Sequence, residues 1–117
     1  MIKAKIDKFT IFTVVCLCIY PQMVVADSFT GEKFLTWPRD SQESLIQSSI
    51  MMTGIIAAQH RTDIAGCIDD WYTGDEAVQA QRHEFVIDTI RKNPSYHPQG
   101  VILALLQKEC GSFAEGG

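Results

Sequence analysis

The feature that most restricts this chain is a pair of cysteines. Cys67 and Cys110 are the two that remain once residues 1–26 are set aside as a targeting segment. That segment starts with Lys3, Lys5 and Lys8, continues as a mostly apolar run from Phe9 to Tyr20, and breaks at Pro21. The run is too short to span a bilayer as a stable helix. Val24-Val25-Ala26 offers the modest side chains of a signal-peptidase site, with Asp27 as the first mature residue. Cys16 and Cys18 lie inside the apolar run, and Thr13-Val14-Val15-Cys16 lacks the Leu expected before a lipidated cysteine. Both are therefore expected to leave with the signal. Export would place Cys67 and Cys110 in an oxidising compartment, where one disulfide is expected. Closing the loop between them would stabilise the fold by about 4 kcal/mol. A cytosolic location would instead imply two buried free thiols.

Residues 27–117 are enough for one domain with a single modest core. Without the targeting segment they carry 7 basic against 13 acidic residues, a net charge of −6. That balance argues against nucleic acid and anionic lipid as partners. It suits a basic protein partner, although plain solubility would also explain it.

Along the mature chain, helical periodicity alternates with turn signals. Phe29 to Trp37 reads as a short amphipathic piece ended by Pro38, because the residue before a proline disfavours the α region. Asp40 is expected to cap a long helix, with Glu43 at capping-box spacing. From Ser41 to about His60, Leu45, Ile46, Ile50, Met52, Ile55 and Ile56 fit a 3.6-residue period. Ser49, Thr53, Gly54, Ala57 and Ala58 would let another helix approach, so a tightly packed central helix is expected. Asp63 is expected to cap a short helix through Cys67, Ile68 and Trp71. Thr73 or Asp75 would start the next, which carries Val78, Phe85, Val86 and Ile90 and stops at Asn93-Pro94. Pro98 suits the first turn of a last helix that runs to Cys110 and ends at Gly111. No stretch alternates as a strand would. The fold class expected is all-α, a small bundle of four to five helices with one disulfide.

Catalytic signatures are missing. His60, His83 and His97 lack paired metal-ligand spacing, and Asp69-Asp70 with Asp75-Glu76 lacks the glycine placement of a calcium loop. Neither cysteine sits in a local catalytic signature. The expectation is a protein that is not an enzyme and needs no cofactor. Two segments read as surfaces. Asp69, Asp70, Trp71 and Tyr72 place two aromatics beside acids, a combination that can anchor and steer a basic partner, though Trp71 is expected rather to belong to the core, with the acids merely solvated. Tyr96 and His97 lie in a rigid interhelical turn that helix punctuation alone could explain.

The order of several segments resembles a known family. A signal peptide precedes Gly31-Glu32-Lys33-Phe34-Leu35-Thr36-Trp37, then come Ser49 and Gly54-Ile55-Ile56-Ala57, the Cys67 segment, and Phe85-Val86 on a helix ending Arg91-Lys92-Asn93-Pro94. His97-Pro98 and Val101-Ile102-Leu103-Ala104-Leu105-Leu106 follow before Cys110. This order resembles the Rap/Tai-type immunity proteins of type VI secretion systems, over about residues 30–112. The resemblance implies a small periplasmic helical protein that binds a peptidoglycan amidase effector and blocks it sterically. In that family another cysteine pair often links the first two helices; here the comparable stretch has Trp37-Pro38 and Ser48-Ser49. The partner-binding residues expected are Asp69, Asp70, Trp71, Tyr72, Tyr96 and His97, and a homodimer is a further possibility. The competing expectation is a small periplasmic acid-stress chaperone of the HdeA-like kind, whose many carboxyl groups would lose charge as pH falls.

Overall fold

The computed structural model describes residues 28–113, which form five helices and no strand. The expected targeting segment 1–26 with Cys16 and Cys18, Asp27 as the expected first mature residue, and the Glu115-Gly116-Gly117 tail lie outside the described residues. The helices are α1 (Gly31–Phe34), α2 (Arg39–His60), α3 (Thr62–Tyr72), α4 (Glu76–Lys92) and α5 (Pro98–Cys110). Among the described residues, no helix is long and apolar enough to cross a membrane.

α2 is the central element. It packs most extensively on α3 and then on α5, while α4 closes the bundle against α5, α2 and α3. Phe34, Ile46, Ile64, Val86, Ile90, Ile102 and Leu106 are at most 2% exposed and make one core drawn from all five helices. Fully burying each such side chain is worth about 1.5–3 kcal/mol. Cys67 and Cys110 stand in disulfide geometry, with their Cα atoms 5.6 Å apart. The bond ties α3 to the last residue of α5.

The helix ends correct two of the expected caps. Pro38 is itself the N-cap of α2: it is extended at ψ 150°, and its carbonyl accepts from Gln42 N–H at 3.1 Å. The chain enters the helix directly after the proline, so Asp40 already sits inside the first turn and caps nothing. Glu43 does not reach back either; it accepts from Arg39 Nε at 3.0 Å. Asp63 is likewise inside α3, where its carboxylate holds the Arg61 guanidinium at 2.9 and 3.0 Å. That pairing keeps the Asp63 carboxyl below its usual range. Asp75 does cap α4, accepting from Val78 N–H at 2.9 Å. Thr73 instead closes α3 by donating to the Asp69 carbonyl. Pro98 opens α5, and Gly111 ends it at φ 102°, a left-handed conformation that side chains rarely adopt.

Two apolar assignments also shift. On α4 the buried stripe is His83, Val86, Ile87 and Ile90, the i, i+3, i+4, i+7 pattern of one helix face. Phe85 falls between these positions and is 45% exposed. On α2 the inward phase is set by Gln42, Ile46, Ser49, Ile50 and Ala57. Met52, Ile55 and Ile56 are out of phase and face outward, so the helix is not enclosed along its second half.

Candidate functional site

The turn between α4 and α5 is held from several directions. Asn93 ends α4, its N–H donating to the Ile90 carbonyl and its side-chain amide to the Thr89 carbonyl at 2.8 Å. α1 then docks on the turn through its unsatisfied N-terminal N–H groups. Gly31 N–H donates to the Tyr96 carbonyl at 2.8 Å, and Glu32 N–H to the Pro94 carbonyl at 2.9 Å. Close approach explains the glycine, since a Cβ on Gly31 would lie 2.9 Å from an Ile90 methyl and 3.2 Å from the Pro94 Cα. His97 caps α5 as Nδ1 accepts from Gln99 N–H at 3.2 Å. Its ring is edge-on to Phe29, with centroids 5.3 Å apart, and Phe29 stacks on Trp37.

This frame presents Tyr96, which at 64% is the most exposed large hydrophobic side chain of the fold. Beside it a cleft of about 550 Å³ runs between α4 and α5. Gly100, Val101, Ala104 and Leu105 floor it, so its walls are small or apolar. Lys108, about one turn beyond Leu105 on α5, lines the same cleft and makes no ion pair among the described residues. Tyr96 and His97 are thus brought together on one rigid rim.

The other expected surface is divided. Asp69 and Asp70 are exposed on α3, as a steering role would need. Trp71 is half-buried beneath Arg82, whose guanidinium carbon lies 4.6 Å from the ring centroid while Nε donates to the Trp71 carbonyl at 2.8 Å. Tyr72 is 4% exposed and does not belong to the surface. It completes the inward stripe Ile64, Ile68, Tyr72 of α3, and its hydroxyl lies 2.7 Å from His83 Nε2. Burial, and the negative charge of Glu43 after it, push the Tyr72 phenol above its ordinary value. Burial pushes His83 down, opposed by Glu43, whose carboxylate is 3.9 Å from Nδ1. The pair is therefore a neutral polar node inside the bundle.

The two sequence-derived clusters line different grooves. Asp69 and Tyr72 border one between α2 and α3, whereas Tyr96 and His97 border the cleft between α4 and α5. Missed altogether was the outer face of α2, where Met51, Met52, Ile55 and Ile56 are 48–57% exposed. The helical phase of Ile46, Ile50 and Ala57 was the signal that could have found it.

The described residues contain no group of three or more His, Cys, Asp and Glu able to hold a metal ion. His60 closes α2, His83 bonds to a phenol and His97 caps α5, so no two of them share a site. Every buried polar side-chain atom among the described residues has a partner. No protein-family model matches the chain, and no curated protein or solved structure is significantly similar to it.

Proposed function

We propose that the chain is an exported binding protein of the immunity type, which blocks a peptidoglycan amidase effector in the periplasm by occupying its cleft. The observation that carries this reading is Tyr96. It is 64% exposed on a turn that α1, Asn93 and the His97 cap hold in place. A large aromatic side chain on a rigid mount loses little conformational freedom on binding, which is what favours such residues as interface anchors. The neighbouring cleft between α4 and α5 can receive an apolar side chain of the partner, and Lys108 a carboxylate. Asp69 and Asp70 contribute to the acidic field that draws in a basic partner.

In this reading no bond is made or broken by the chain; inhibition is exclusion of substrate. Residues 1–26 direct export and are removed, and the exported chain carries no cofactor. Periplasmic production of a cell-wall amidase effector with and without this protein tests the proposal. Survival that depends on the protein, and falls with Tyr96→Ala, supports it. Lysis in both cases, with the protein instead holding unfolded clients at acid pH, would replace it with the acid-stress chaperone.

A further inference from the structure

α2 carries a stripe without charge. From Ser44 to Gln59 it has no Asp, Glu, Lys or Arg, although such residues make up 21% of the chain. Within this stripe Met51, Met52, Ile55 and Ile56 stand 55%, 56%, 57% and 48% exposed. Single exposed apolar residues are ordinary, but four large ones in a contiguous block mark a contact surface. A groove lies on each shoulder. One of about 290 Å³ runs from Met51 and Ile55 to α3, and one of about 370 Å³ runs from Met52 and Ile56 to Leu103 of α5.

We infer that this face of α2 joins two copies of the chain, α2 of one against α2 of the other, with Met51, Met52, Ile55 and Ile56 at the centre. Shape favours a second copy. A two-fold pair needs one surface that holds both the knob and the hole, and here the i, i+4 rows Met51–Ile55 and Met52–Ile56 stand between two grooves. Charge favours it as well. The whole chain has net charge −4, so two copies repel each other least where the uncharged stripe is the centre of contact. On the stripe itself a charged partner would find no counter-charge, and Asp69 stands only at its edge.

Within residues 51–56 the one polar side chain, Thr53, is already satisfied, its hydroxyl donating to the Ser49 carbonyl at 2.7 Å. Its burial in a contact leaves no lone donor. The stripe is about 24 Å long and the outward half of the helix offers about 400 Å². A stable interface takes about 800 Å² from each partner. The shoulders must therefore contribute too, with Leu103 on one side and the Ala65–Asp69 edge of α3 on the other. Asp69 at that edge makes the pairing tighten as salt rises, because like charges are then screened.

This inference does not rest on the partner reading, since its residues are not those of the Tyr96 rim. The test is sedimentation velocity across the micromolar range, on oxidised protein recovered from cells expressing the whole coding sequence. The expected result is twice the chain mass, with Ile55→Glu weakening association at least about tenfold. Helical circular dichroism should stay unchanged, because Ile55 is exposed in the single chain. Met52→Cys or Ile55→Cys should cross-link to its own copy under mild oxidation, and Tyr96→Ala should leave the mass at two chains. A single-chain mass at every concentration would overturn the inference. So would a pair that survives Ile55→Glu, or a cysteine at these positions that cross-links only to a different protein.

Discussion

The Tyr72 hydroxyl lies 2.7 Å from His83 Nε2 inside the bundle, joining α3 to α4 through a bond between two neutral groups. Glu43 and Arg39 of α2 are the charged groups that act on this node, and Arg39 pairs with Glu43 and with Glu84 of α4. Protonation of His83 must therefore place a charge where burial opposes it.

The consequence is a pH dependence of stability with a definite sign. The folded-state pKa of His83 lies below its unfolded value near 6.5, so below that pH the unfolded chain binds more protons. The stabilisation held by neutral His83 is complete above about pH 6.5. It is lost as pH falls through the folded value. Urea unfolding at pH 7 and pH 5 should show a lower midpoint at pH 5, and His83→Gln should reduce the difference. Tyr72→Phe leaves the imidazole without its partner and should cost about 1–3 kcal/mol at pH 7.

The disulfide bounds a loop with a sequence separation of 43 and should contribute about 4 kcal/mol. Replacing Cys67 and Cys110 together by Ser should lower the melting temperature by about 15–30 °C, read by circular dichroism. Helical content at low temperature should persist, because the core draws on all five helices without the sulfurs.

Asp75 and Asp40 look alike in sequence as helix-starting acids, yet only Asp75 accepts a backbone N–H. Asp75→Ala should cost about 1 kcal/mol. Asp40→Ala should change stability by about 0.5 kcal/mol or less. Denaturant midpoints of the two variants decide between cap and ordinary surface acid.

The contrast shows what could be read in advance. The helical class was legible because the 3.6-residue period and the stops at Pro38, Asn93-Pro94 and Gly111 are local signals. The cysteine pair was legible from its number once the N-terminal cysteines were set aside. Caps were harder. A proline that serves as its own N-cap moves the helix start by two residues, and an acid two places later then has nothing to cap. Burial was hardest, because it depends on which side of a helix receives neighbours. Ile55, Ile56 and Phe85 have core composition but the wrong phase, whereas His83 and Gln42 have the right phase and polar chemistry. Gln42 is kept inside by donating to the Phe34 carbonyl at 3.1 Å. Of the candidate surface residues, Tyr96, His97, Asp69 and Asp70 emerged exposed. Tyr72 did not, since its place on the Ile64–Ile68 stripe outweighs its hydroxyl once His83 is there to bond it.

Gly31 links stability to the proposed binding rim. A methyl group there meets Ile90 at 2.9 Å and the Pro94 backbone at 3.2–3.3 Å, and that backbone cannot swing aside as a side chain would. Gly31→Ala should cost about 1–3 kcal/mol through overpacking. It should also loosen the Tyr96 turn by pushing α1 off it. Hydrogen exchange would report this as faster exchange of the Gly31 and Glu32 amides, with the α2 and α3 amides unaffected.

The most direct test of the proposed function is titration of the oxidised protein against a periplasmic peptidoglycan amidase effector, following binding heat and amidase activity together. A one-to-one stoichiometry per chain, loss of amidase activity at the same point, and at least a thirtyfold weaker Kd for Tyr96→Ala, corresponding to about 2 kcal/mol, are expected. Inhibition that is indifferent to Tyr96, or no binding to any such amidase, would contradict it.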